Sequence, residues 1–203
     1  MIIVAAHGQE YIDRCLSAIF RADRCGHDVL VVSDGGGYDS GKYLRGFERV
    51  AAFRQHAFCF MQDSLEVGPD FFVRGFAATQ FGLVSPAAVF PGGLWDSGEQ
   101  REYAGRCLGQ WGDGSDYDEG VFGPIFFCPM DFVRTVRTVV PPAMLPQTKI
   151  QQQAWERVWG AAAKRGGWEI VPLFDAGSFA ETWGAMKNKD AGVPFIKHFP
   201  ERK

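Results

Sequence analysis

Residues 1–37 read MIIVAAHGQEYIDRCLSAIFRADRCGHDVLVVSDGGG, and this stretch decides the fold class. Ile2 to Ala6 is a short unbroken apolar run, the pattern of a strand buried on both faces. His7-Gly8-Gln9 turns the chain. Glu10 to Ala22 then carries Tyr11, Ile12, Cys15, Leu16, Ile19 and Phe20 at helical spacing. Val29 to Val32 is a second apolar run, ending at Ser33-Asp34 and the glycines Gly35-Gly36-Gly37. Strand, helix and strand in that order make a βαβ unit, which is right-handed and builds a parallel sheet.

The alternation continues outward. Lys42 to Val50 reads as helix and Ala57 to Met61 as a third strand ending at Gln62-Asp63-Ser64. Pro69 opens a helix expected through Gln80. Ala87 to Phe90 reads as a further strand, and 92–120, rich in Gly, Asp and Trp, as a long functional loop. Val121 to Cys128 is the next expected strand and Asp131 to Val139 a helix. Lys149 to Arg165 is a helix closed by Gly166-Gly167, and Trp168 to Leu173 is the last strand. The prediction is a single α/β domain over 1–175 with a mainly parallel, Rossmann-like sheet flanked by helices. A basic, aromatic tail over 176–203 is expected to pack back on the site.

Ligands of such sheets bind beyond the carboxyl ends of the strands. Three strand ends carry polar or glycine-rich punctuation, at 7–10, 33–37 and 62–66, and their convergence points to a nucleotide site.

Composition narrows the class. The 203 residues carry a net charge of −3, with no basic stripe of the kind a dedicated DNA binder needs. The five cysteines have no C-x-x-C spacing, which disfavours a zinc knuckle or a disulfide framework and fits a reducing cytoplasm. The first residues lack a signal peptide's basic flank, and no apolar run approaches the roughly 20 residues of a membrane span.

Four segments together resemble GT-A-type glycosyltransferases of the family 2 kind. They are "IIVAAHGQEYIDRCLSAIF", "VLVVSDGGG", "AFCFMQDSLEVGPDFF" and "GVFGPIFFCPMDFV", and they run in the family's order over residues 1–175. The resemblance implies a hexosyltransferase-like enzyme using a nucleotide-sugar, a UDP-sugar in the first instance, with Mn²⁺ or Mg²⁺. It implies nucleotide contacts from Ala6, His7, Gly8, Asp34, Gly35, Gln62 and Asp63. The metal would sit on Asp63, with His198 as a further ligand, since a cation held by carboxylates acts as Lewis acid on the diphosphate. Lys197 and Arg202 would also reach the diphosphate. The implied acceptor is a saccharide, a lipid-linked sugar, a protein or modified DNA, shaped by Trp95, Trp111 and Tyr117.

The sequence departs from the family twice. Its metal triplet reads Gln62-Asp63-Ser64, with a carboxylate only in the middle and Glu66 as a partial substitute. The start of the late helix, Lys149-Ile150-Gln151-Gln152-Gln153, lacks the family's acidic base. Candidates for the base are Glu156 and the loop residues Asp113, Asp116, Asp118 and Glu119, with Glu156 and Asp118 taken first. These departures leave open a nucleotide-sugar-binding module without catalysis. A third reading is a P-loop NTPase, since Gly36 to Lys42 matches G-x-x-x-x-G-K; Tyr43 stands where that motif needs Ser or Thr.

Overall fold

The structure is a computed structural model that describes residues 1–52, 56–85, 97–109, 120–173 and 195–198. Its elements in chain order are β1 (Ile2–Ala5), α1 (Gln9–Arg21), β2 (Val29–Val32), α2 (Tyr38–Val50), β3 (Ala57–Gln62) and β4 (Leu65–Val67). Then come α3 (Phe71–Ala78), β5 (Gly82–Ser85), α4 (Gly98–Leu108), β6 (Ile125–Pro129), α5 (Met130–Val139), α6 (Lys149–Arg165), β7 (Glu169–Pro172) and β8 (Phe195–Lys197).

The fold is α/β. Six strands form one sheet in the order β2-β1-β3-β6-β5-β7, and β4 pairs with β8 in a separate ribbon. β1 runs parallel to β2 and β3, and β5 parallel to β7. β6 is antiparallel to both β3 and β5, so it alone is reversed and the sheet is mixed. Alternate residues of each strand face opposite sides. Ile3, Ala5, Phe58, Phe60, Leu83 and Phe126 face one side, packed with residues of α2, α4, α5 and α6. Ile2, Val4, Cys59, Met61, Val84 and Phe127 face the other, with α1, α3, Leu65 and Phe195. The central strands are thus covered on both faces, which is why their sequences are unbroken apolar runs.

Two expectations need correction. The helix expected through Gln80 stops at Ala78, and a strand the sequence does not announce follows at Gly82–Ser85. Thr79 closes that helix end with its hydroxyl on the Phe76 carbonyl (2.7 Å), leaving Leu83 and Val84 to enter the two cores. Residues 86–90 lie outside the described residues. The long loop at 92–120 contains α4. Ser97 and Gln100 form a reciprocal capping box at its start, and Tyr103, Ala104, Cys107 and Leu108 bury its inner face. Tyr103 reaches α6, where the Trp155 indole N–H donates to its hydroxyl (3.3 Å). Glycines 98, 105 and 109 hide this helix from a periodicity reading.

Among the described residues no helix is long and apolar enough to cross a membrane.

Candidate functional site

The carboxyl ends of β1 and β3 lie side by side, Ala5 opposite Gln62. The next residue on β3's side, Asp63, is buried at 3% exposure and donates its amide to the Ala5 carbonyl (3.1 Å). Its Oδ2 accepts from two consecutive backbone amides, His7 (2.6 Å) and Gly8 (3.2 Å). Gly8 caps α1, so the carboxylate sits where an anion is favoured, at the amino end of a helix. One side chain therefore fixes the turn joining β1 to α1.

A continuous polar chain crosses this end of the sheet. Lys42 Nζ, on α2, donates to the Ala6 carbonyl and lies 3.2 Å from His7 Nδ1. A lysine ammonium only donates, so Nδ1 accepts and His7 Nε2 carries the hydrogen given to Asp39 Oδ1 at 2.6 Å. Asp39 Oδ2 accepts from the Gln62 amide, and Gln62 Oε1 accepts from Lys197 Nζ. Lys197 also donates to Ser64 Oγ (3.1 Å). It reaches this place because β8 pairs with β4, Lys197 opposite Leu65. Burial lowers the pKa of Lys42 and pulls that of Lys197 down to about 8.

α6 contributes Glu156. Burial pushes its carboxyl up to about 8; Arg157 and Lys197 oppose the rise and Asp39 adds to it. A Cβ on Gly123 would stand 2.6 Å from Glu156 Cγ and 2.8 Å from Oε1, so only glycine leaves space for this side chain. A carboxyl that changes protonation state near neutrality is suited to proton transfer.

Compared with known proteins, the chain matches no protein-family model and no curated sequence.

The structure thus brings together Ala6, His7, Gly8, Gln62 and Asp63 with Glu156 and Lys197. It treats the other expected residues differently. Asp34 lies past the end of β2 at the same end of the sheet, but its carboxylate is exposed and paired with Arg49 (2.6 Å), which holds it below the usual range. The Arg45 guanidinium donates to the Asp34 carbonyl (3.1 Å) and lies over Gly35, where a Cβ would come within 2.7 Å of Cζ. His198 turns to Glu66 (2.6 Å) and Arg14 (3.2 Å) instead of joining Asp63. Asp118, Asp113, Asp116, Glu119, Trp95, Trp111, Tyr117 and Arg202 lie outside the described residues.

The P-loop reading fails on local geometry. α2 already begins at Tyr38, so residues 38–41 are helical and form no cradle, and Lys42 points inward to the Ala6 carbonyl.

The donors that would hold the implied divalent cation are engaged elsewhere. Asp63 Oδ2 is held by two amides, Gln62 and Ser64 receive the Lys197 ammonium, and His198 is engaged by Glu66. Among the described residues no group of three or more His, Cys, Asp or Glu is placed to hold a metal ion. This set does not fit a divalent cation.

Asp39 joins this site with no motif in the sequence to mark it. Its position in the first turn of α2 is where acidic residues are common on any helix, so it carried no distinguishing signal.

Proposed function

We propose that this chain is a GT-A-like glycosyltransferase that binds a nucleotide-sugar across the carboxyl ends of β1 and β3 and transfers its glycosyl group to an acceptor hydroxyl. The observation that carries the reading is the hydrogen-bonded chain from Lys42 through His7, Asp39 and Gln62 to Lys197, with Glu156 electrostatically coupled to it. It supports a ligand site because it joins two strand tips at the sheet end where α/β proteins bind nucleotides. Two hydrogen-bonded lysines there, Lys42 and Lys197, are cations placed to meet a diphosphate.

In the transfer the acceptor oxygen bonds to the anomeric carbon. The bond from that carbon to the diphosphate oxygen breaks, and its electron pair leaves with the nucleoside diphosphate. Glu156, in its ionised form, takes the acceptor proton. The Asp63-anchored turn at His7 and Gly8 positions the nucleotide. We place the chain in the cytoplasm, since five cysteines without disulfide pairing suit a reducing compartment. Saccharide, lipid-linked sugar, protein and modified DNA all present the hydroxyl this chemistry needs.

The test is release of nucleoside diphosphate from a panel of UDP-, GDP- and ADP-sugars in the presence of those acceptor classes. Glu156→Gln is expected to lower turnover by roughly 100-fold or more, the usual weight of a general base, with nucleotide affinity retained. A second reading, a binding module of the same fold without turnover, is favoured by the use of Asp63 as a backbone clamp. Tight nucleotide-sugar binding with no turnover on any acceptor would select it. Absence of binding rejects both.

A further inference from the structure

We propose that Lys197 stands in for a divalent cation, so that the nucleoside diphosphate is bound without metal and its charge is met by the Lys197 ammonium. The inference rests on the nucleotide-sugar reading of the same site and adds how that site neutralises its ligand.

The argument starts from Gln62-Asp63-Ser64. Oδ2 of the middle carboxylate accepts from the backbone amides of His7 and Gly8. The two outer side chains, Gln62 Oε1 and Ser64 Oγ, both accept from one atom, Lys197 Nζ. A positive charge therefore already rests on this triplet, and the protein supplies it. The placement is built into the fold. β8 pairs with β4 along three residues, Leu65↔Lys197, Glu66↔Ile196 and Val67↔Phe195. Phe195 is buried at 1% exposure in the core beside Phe71 and Phe122, which anchors the strand. The His198 amide donates to the Ser64 carbonyl (2.8 Å), and its ring is held by Glu66. Lys197 is thereby gripped on both sides in sequence.

The chemistry is consistent with the substitution. An ammonium exchanges hydrogen-bond acceptors readily, so Lys197 can give up a protein oxygen in favour of a charged phosphate oxygen. In a partly buried site that interaction is stronger than in bulk solvent. When the glycosyl bond breaks, the electron pair passes to the diphosphate oxygen, and the ammonium stabilises the added charge with no change in its own bonding. Lys42, tied to the Ala6 carbonyl on the other side of His7, adds a second cation to the same end of the sheet.

The experiment is titration of the purified full chain with UDP, GDP and ADP by calorimetry, once in excess EDTA and once in Mn²⁺. Titration of Mn²⁺ alone is followed by the spin-resonance signal of the free ion. The expected result is the same affinity for the preferred nucleotide in both buffers and no uptake of Mn²⁺ alone. Lys197→Gln is expected to weaken nucleotide binding roughly tenfold or more, the weight of one charged hydrogen bond, and Lys197→Arg to recover most of it. Binding that appears only with Mn²⁺ overturns the inference while leaving the nucleotide reading intact. Unchanged affinity in a folded Lys197→Gln protein also overturns it. No binding of any of the three nucleotides in either buffer rejects the nucleotide reading and this inference with it. The comparison of buffers uses the unsubstituted protein, so it decides even if the variants fail to fold.

Discussion

Asp63→Ala is the perturbation that separates a structural clamp from a metal ligand. The side chain is buried, and its Oδ2 accepts from the amides of His7 and Gly8 at 2.6 and 3.2 Å. Alanine would leave both amides without that acceptor in the turn that starts α1. A hydrogen bond to a charged group contributes about 1.5–3 kcal/mol, so losing two, with some relief by entering water, gives about 3 kcal/mol. For a domain of this size that corresponds to a fall of roughly 6–12 °C in melting temperature. Asp63→Asn keeps a carbonyl acceptor without the charge and should cost only about 1 kcal/mol. Urea unfolding of the three proteins, followed by circular dichroism, gives the values directly. A carboxylate kept only to bind metal behaves otherwise, because its removal takes no hydrogen bond from the turn. An Asp63→Ala protein within 1 kcal/mol of the parent, or more stable, would refute the clamp.

Three further outcomes follow from other parts of the structure. Gly75→Ala in α3 would ordinarily gain helix propensity, but its Cβ would fall 2.1–2.4 Å from the Phe127 ring, so a loss of about 2 kcal/mol or more is expected in the same unfolding assay. Burial against Phe76 and the neighbouring amino terminus lower His27 from 6.5 to about 4, so the folded chain binds fewer protons in that window; stability is full above 6.5 and lost as pH falls toward 4, and His27→Gln should flatten that slope in melting curves. Glu156 is raised from 4.5 to about 8, so the folded chain holds its proton longer and its contribution to stability falls as pH rises through that window; Glu156→Gln should therefore gain on the parent between pH 5 and pH 9 in melting curves, with the window set by those two values.

Much of the fold was legible because buried strands and amphipathic helices leave strong local patterns. The apolar runs of β1, β2 and β3 and the full length of α6, from Lys149 to Arg165, could be read from periodicity and punctuation. The direction of β6 could not. Phe126 and Phe127 bury on opposite faces whichever way the strand runs, so the pattern is blind to its reversal. β5 offers only Leu83 and Val84, too little to fix a register. At the site, Asp63 is marked in the sequence by its place after a strand, whereas Glu156 is one carboxylate among several and has no position that sets it apart. The ionic partners are not marked either, because their distances in sequence are long. Asp34 was read correctly as a strand-end aspartate, yet Arg49, 15 residues on, takes its carboxylate. His198 reaches Glu66 across 132 residues and Lys197 reaches Gln62 across 135, contacts made only once β8 joins β4.

The most direct test of the account is a crystal structure of the chain with UDP in the presence of EDTA. It should place a diphosphate oxygen within hydrogen-bond distance of Lys197 Nζ, beside the turn at His7 and Gly8. A diphosphate bound away from that turn, or a nucleotide that enters only with a metal ion seated on Asp63, would contradict it.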